Sequence, residues 1–314
     1  MKTITILSVL FLAAFFVSAQ SKEMPGKQSG PGKHRFAMQV DGDIREYYVH
    51  IPRSYDSSRS MPVVLMLHGS GGDGEKFYNI SGWVQQGEAE NVITVFPSAW
   101  KYDCIIDEGV QKRNAEKWTS YDLKLCNNVR RRDDVKFLRN VIEQVGTKYN
   151  IDERRIYMVG FSNGGEMTAR CSIELSDKLA AVVACAGSIP PDTLLAPRRR
   201  LPVLLQMGAA DPKLMAKLGA TAPFPLDIPR LLSAYPAVQF VINAYIKSFG
   251  LNRNYTIQGD PGEYIMAKYS GASGSQNIFD FVVVKGLEHQ YPNGKNHPLK
   301  GAKVHWEWMK NYHL

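Results

Sequence analysis

Between residues 62 and 286 the chain alternates short, unbroken apolar runs with longer amphipathic stretches. The runs are "PVVLMLH" (62–68), "VITVFP" (92–97), "RIYMVG" (155–160), "LAAVVACAG" (179–187), "PVLLQMG" (202–208) and "FDFVVVKG" (279–286). Runs of this length suit strands buried on both faces of a mostly parallel sheet. Ahead of them, "FAMQV" and "IREYYVHIP" flank Asp41-Gly42-Asp43. The alternation of Phe36, Met38 and Val40, then of Tyr47, Val49 and Ile51, predicts an antiparallel hairpin. Val135, Leu138, Val141, Ile142 and Val145 recur at helical spacing, with Asp133 or Asp134 as N-cap. The closing "KVHWEWMKNYHL" also suits a helix, with Val304, Trp308 and Tyr312 on one face and His305 and His313 within it. The pattern predicts one α/β domain over residues 36–314, with a mostly parallel central sheet, an N-terminal antiparallel hairpin and helices on both faces.

The first residues do not fit that domain. "MKTITILSVLFLAAFFVSAQ" carries one lysine, an apolar run from Ile4 to Val17 and a small-residue cleavage site, so residues 1–19 read as a secretory signal peptide cut after Ala19. The run is short for a membrane anchor, and no second long apolar segment follows, which predicts no membrane span after signal removal. Residues 20–35, "QSKEMPGKQSGPGKHR", are polar and rich in Gly and Pro and read as a flexible leader. A secreted or periplasmic location follows from this reading.

Oxidising surroundings bear on the four cysteines. Of the three possible pairings, Cys104 with Cys126 is favoured because both lie in an irregular stretch, where a closed loop stabilises by about 3 kcal/mol in the chain-entropy model. Four buried thiols are the alternative. No Cys or His pair has zinc-ligand spacing, so no metal is expected. The formal charge is +8, and loss of Lys2 with the signal segment leaves 8 − 1 = +7. The basic clusters "VRRRDD" (129–134) and "PRRR" (197–200) offer attraction for acidic polysaccharide or an anionic surface, against the plainer reading of solvated loops. No motif supports nucleic-acid binding.

"RRIYMVGFSNGGEMTARC" (154–171) sets Ser162 between glycines after a predicted strand and before a helix-compatible stretch. Such a turn strains the serine backbone and exposes its hydroxyl at the carboxyl edge of a sheet. A serine alone is a poor nucleophile and needs a base and an acid to orient that base. Asp211 follows "PVLLQMG" and His289 follows "FDFVVVKG", in the chain order Ser, Asp, His of α/β-hydrolases. His297 is the rival base and Asp260 the rival acid. "LHGSGGDG" (67–74) follows the first buried strand, and the backbone amides of Ser70 and Asn163 are the candidate oxyanion donors, with His68 shaping the turn.

These ordered motifs, with "GDIREYYVHIP", "RRDDVKFLRNVIE", "SDKLAAVVACAG", "PVLLQMGAADP" and "GLEHQYP", resemble the poly(3-hydroxybutyrate) depolymerase-like and feruloyl or acetylxylan esterase-like proteins of carbohydrate esterase family 1. The resemblance runs from about residue 36 to about residue 292 and implies the α/β-hydrolase fold, with nucleophile, acid and base at Ser162, Asp211 and His289. It implies serine-type hydrolysis of carboxylic esters without cofactor, on an ester-bearing polysaccharide such as feruloyl or acetyl xylan, or on a polyester. The chain departs from the family at Met207-Gly208-Ala209-Ala210-Asp211 and at Glu288-His289-Gln290-Tyr291-Pro292, beside the acid and the base. The segment 212–232 is unlike the short family loop and is a candidate lid or wall. Trp100, Tyr102, Trp118 and Tyr121 offer rings to line a feruloyl pocket, with core packing as the alternative, and Trp118 and Tyr291 are the candidate substrate contacts. A serine peptidase and a catalytically silent polysaccharide-binding module are the rival classes. No obligate protein partner is evident.

Overall fold

The computed structural model describes residues 30–105, 111–121, 126–127, 130–191, 194–273 and 275–314. The expected signal segment 1–19 and residues 20–29 of the expected leader lie outside the described residues. Strand β1 (Gly32–Val40) begins inside the segment read as leader, and its residues 32–35 pair in register with Tyr48–Ile51 of β2 (Asp43–Ile51). The domain therefore starts earlier than residue 36. An edge strand keeps polar side chains in water while its backbone pairs, so polarity did not preclude a strand there. The hairpin turns through Asp41 and Gly42 at φ 50° and 89°, the two positive values that a two-residue turn of this hand requires.

The chain continues through β3 (Met61–Leu67), α1 (Gly74–Ile80), α2 (Trp83–Glu90), β4 (Ile93–Pro97), β5 (Trp100–Ile105), β6 (Gln111–Lys117) and β7 (Cys126–Asn127). Then come α3 (Asp134–Lys148), β8 (Ile151–Phe161), α4 (Asn163–Glu174), β9 (Ala181–Cys185), β10 (Val203–Gly208), α5 (Pro212–Leu218), α6 (Ile228–Ala234) and α7 (Pro236–Phe249). The last elements are β11 (Tyr255–Gln258), β12 (Tyr264–Ser270), β13 (Ile278–Val284) and α8 (Gly301–Met309). Ten strands form one sheet in the order β1-β2-β4-β3-β8-β9-β10-β13-β12-β11. The six from β4 to β13 in that order are parallel neighbours, and an antiparallel pair closes each edge. Every residue of β3, β4, β9, β10 and β13 is buried, as their unbroken apolar runs require. Alternate side chains serve two cores. Val63, Leu65 and Leu67 belong to the core shared with α3, α4 and α7, while Val64 and Met66 belong to the core shared with α1, α2 and α8.

Asp133 caps α3 by accepting from the Lys136 amide at 2.9 Å. Asp134 is instead buried, taking Arg45 Nη2 at 2.7 Å and the amide and hydroxyl of Thr119 at 2.6 and 2.7 Å. Helix α8 presents Ala302, His305, Trp306 and Met309 to the core, and Val304 is 44% exposed. The expected helix is thus corrected at its end: it stops at Met309, before Tyr312 and His313, and Val304 faces solvent while Trp308 and Tyr312 still pack against the core. Strands β5, β6 and β7 form a separate small sheet that no periodicity announced. In it Cys104, which is disulfide-bonded, stands opposite Cys126 in the strand register, while Cys171 and Cys185 are free and buried. Of the basic clusters only Arg132 and Arg199 are half-buried, and Arg130, Arg131, Arg198 and Arg200 remain exposed. Arg132 forks onto Asp43 and lies over the Trp100 ring, Arg130 pairs with Asp43, Arg198 reaches Asp177, and Arg199 donates to the carbonyls of Ser176, Leu179 and Ala180.

Candidate active site

Ser162 sits between β8 and α4 with φ 54° and ψ −122°, a conformation costing roughly 1–3 kcal/mol in a residue with a side chain. Its amide donates to Cys185 O at 2.8 Å, and its carbonyl accepts from the Glu166 amide at 2.9 Å. Glycines make this tight turn possible. A Cβ at Gly160 would lie 2.0 Å from Gly164 O, one at Gly164 2.4 Å from His68 O, one at Gly165 2.5 Å from Cys185 O and one at Gly187 2.4 Å from Ser162 O. Each of those contacts is with backbone, so no side-chain movement relieves it. Gly165 and Gly187 escaped the reading of the sequence, although the second glycine of "NGG" and the glycine of "ACAG" mark them.

Two chain-distant residues meet this serine. Ser162 Oγ is 2.9 Å from His289 Nε2, and His289 Nδ1 is 2.7 Å from Asp211 Oδ2. An ionised carboxylate only accepts, so Nδ1 carries the proton and Nε2 is left to accept from the serine hydroxyl. Asp211 is the N-cap of α5, and its other oxygen accepts from the amides of Lys213 and Leu214 at 3.0 and 3.1 Å. Burial raises the pKa of this carboxyl, but the hydrogen bond and charge of His289 and the two amides outweigh burial and bring it below the usual carboxylate value. The rivals are accounted for elsewhere. His297 bonds Lys285 O and the Leu299 amide, and Asp260 caps its own turn through the Gly262 amide.

The glycine loop after β3 lies against the serine, since a Cβ at Gly69 would stand 3.2 Å from Ser162 Cβ. His68 is fully buried, donates from Nδ1 to Gly69 O at 2.8 Å and accepts from the Ala99 amide at 2.9 Å. Burial pushes its pKa down to about 4, so it stays neutral and shapes the loop. Asn163 opens α4, so its amide has no intrahelical partner. Its side chain accepts from the Trp118 amide at 2.7 Å and donates to Ser120 Oγ at 2.8 Å. Ser70 is exposed on the loop beside it. Among the described residues no group of three or more His, Cys, Asp and Glu side chains is placed to hold a metal ion.

The family described as phospholipase/carboxylesterase matches residues 54–224, more than half of the chain. The chain belongs to that family. It is 31% identical over 179 residues, 55% of its length, to NocK of Nocardia uniformis subsp. tsuyamanensis, a protein named as an esterase, of which 47% is spanned. It is 25% identical over 162 residues, 52% of its length, to the bifunctional acetylxylan esterase/xylanase XynS20E of Neocallimastix patriciarum, of which 20% is spanned. The chain thus spans less than half the length of these curated relatives. An acetyl xylan esterase from Aspergillus awamori has the same α/β-hydrolase fold, with a TM-score of 0.55 over 88% of this chain and 99% of that one at 15% identity.

The fold does not offer the two expected substrate contacts, Trp118 and Tyr291, to a substrate. Trp118 is 0% exposed, with its indole N–H on His68 O at 2.9 Å, and Tyr291 is 5% exposed, with its hydroxyl between Trp83 Nε1 and His305 Nδ1. Both rings are core residues whose polar atoms are satisfied internally, which is why neither lines a pocket. Tyr102 is buried as well, and Trp100 packs on Arg132. The segment after Asp211 forms α5 and α6, with buried Phe224 donating its amide to Ala209 O at 2.8 Å, so it docks beside the acid.

Proposed function

We propose that this esterase is an exported serine hydrolase that removes small acyl groups, acetyl foremost, from plant cell-wall polysaccharide. The observation that carries the reading is the chain of contacts from Ser162 Oγ through His289 to Asp211. His289 Nε2 takes the hydroxyl proton as Ser162 attacks the ester carbonyl, and Asp211 holds the imidazole in the tautomer that can do so. The tetrahedral oxygen is received by the amides of Asn163 and Ser70, each such donor being worth about 3 kcal/mol of barrier. The imidazolium returns its proton to the leaving alcohol, and an acyl-enzyme remains. Water, deprotonated by His289, then releases the acid and restores the serine. The preference for acetyl over feruloyl rests on the burial of Tyr102, Trp118 and Tyr291, which takes these rings out of reach of an aromatic acyl group. The acetylxylan esterase name of a relative supports the same substrate class.

Ser162→Ala should abolish covalent labelling by a fluorophosphonate and all ester turnover, and labelling that survives overturns the assignment. A panel of acetylated xylan, methyl ferulate, hydroxybutyrate oligomers and a peptide amide tests the substrate. Release of acetate at the highest kcat/KM is expected, and turnover of methyl ferulate, the oligomers or the peptide alone refutes it.

A further inference from the structure

Four polar side chains meet in the apolar core beneath the triad. Trp83, Gln206, Tyr291 and His305 are each at most 5% exposed, and they come from α2, β10, the loop after β13 and α8. Trp83 Nε1 donates to Tyr291 Oη at 2.9 Å, Tyr291 Oη is 3.0 Å from His305 Nδ1, and His305 Nε2 is 3.0 Å from Gln206 Oε1. The directions are forced. Gln206 Oε1 only accepts, so Nε2 carries the imidazole proton, Nδ1 accepts, and the tyrosine hydroxyl points at it while receiving the indole N–H. Burial pushes the His305 pKa down to about 3, which keeps the ring neutral and the directions unchanged at working pH.

The network reaches each triad residue through a neighbouring segment: the loop after β13, strand β10, and β9 beside Ser162. Tyr291 lies two residues beyond His289 on the same loop. Gln206 lies on the strand that leads through Gly208, Ala209 and Ala210 into Asp211. Cys185, whose carbonyl holds the Ser162 amide, has its sulfur 4.0 Å from His305 Nε2. Two further bonds tie base loop to acid loop, Ala210 N to Leu287 O at 3.1 Å and Ala209 N to Val284 O at 2.8 Å. A polar chain in an apolar core costs stability unless every member is paired, and here each of these contacts finds its partner.

We propose that His305 is a positioning residue that holds the His289 loop, through Tyr291, at a set height over the strands bearing Ser162 and Asp211. This inference rests on the triad reading. The 2.9 Å contact between Ser162 and His289 is the quantity under control, and displacement by about 1 Å costs roughly a hundredfold in rate. Tyr291→Phe removes one oxygen and no carbon, and His305→Leu removes the hub. Each should lower kcat roughly tenfold or more with KM on a p-nitrophenyl ester within about twofold. The double variant should cost no more than the worse single one, because both break the same chain. Met309→Ala, a cavity in the same helix away from the network, should lower Tm while keeping kcat. An unchanged kcat in folded Tyr291→Phe, or an equal loss of kcat in Met309→Ala, overturns the proposal. Where His305→Leu does not fold, Tyr291→Phe and Gln206→Leu carry the test. Turnover by Ser162→Ala would overturn the triad reading itself, whereas an inert Ser162→Ala beside a fully active Tyr291→Phe overturns only the role of His305.

Discussion

Acidification from pH 6.5 towards 4 should destabilise this protein through two buried imidazoles, His68 and His305. Both are fully enclosed, and burial holds their pKa values at about 4 and about 3 against 6.5 for a free histidine. In the unfolded chain both take up protons below pH 6.5, while in the folded protein they do not. The unfolded state then binds more protons, so unfolding free energy falls as pH falls, by about 1.4 kcal/mol per pH unit for each histidine. The two together remove up to about 7 kcal/mol by pH 4, a loss comparable to the whole stability of an ordinary domain. Asp280 works in the other direction, because burial raises its carboxyl pKa and the folded state takes up that proton first. Asp211 and Asp43, whose carboxyls are held below the usual range, lose their contribution only at lower pH still. Urea unfolding followed by tryptophan fluorescence at half-unit steps from pH 7 to 4.5 gives the slope. It should approach 3 kcal/mol per unit at its steepest, roughly twice the per-histidine value. A His305→Gln variant should show about half that slope. A flat unfolding free energy across the interval would mean that these imidazoles accept protons without cost and would refute the reasoning.

Two further substitutions probe the frame of the site. Gly164→Ala sets a Cβ 2.4 Å from His68 O and 2.6 Å from Leu67 O, so α4 must withdraw from β3 and carry Ser162 with it. A loss of about 2–3 kcal/mol in denaturant stability, with a larger proportional loss of ester turnover, is expected, and retention of both would contradict the close approach. Asp134→Ala leaves the Arg45 guanidinium, 2% exposed, without its carboxylate and should cost about 3–5 kcal/mol. Replacing Arg45 and Asp134 together by Met and Leu should cost less than that single change, as read from urea midpoints. A double variant weaker than the single one would show that the pair itself stabilises.

The strands at the centre of the sheet were legible because continuous burial leaves a local mark, an unbroken apolar run between turn residues, whereas their order in the sheet was not. Ser162, Asp211 and His289 were legible for a related reason: each lies just past such a run, where a parallel sheet gathers loops at one edge. Strands β11 and β12 and the small β5-β6-β7 sheet were not legible, since short half-exposed strands take much of their definition from their neighbours. The end of α8 was misread because Tyr312 packs against the core from beyond the helix, in a turn that keeps the apolar spacing of one.

The sequence by itself determined where chemistry could sit. Glycine at 160, 164 and 165, apolar runs before residues 162, 211 and 289, and the Asp-Gly turn are choices whose consequences are local steric or solvation effects. Only the tertiary structure decided which side chains met: the hydroxyl of Ser162 with an imidazole 127 positions away, and the Tyr291 ring with Trp83 and His305 instead of a substrate. An aromatic or polar residue has the same local pattern whether it faces a ligand or a buried partner. Which of the two it finds depends on the packing of elements far apart in the chain, and that information is spread over all of them.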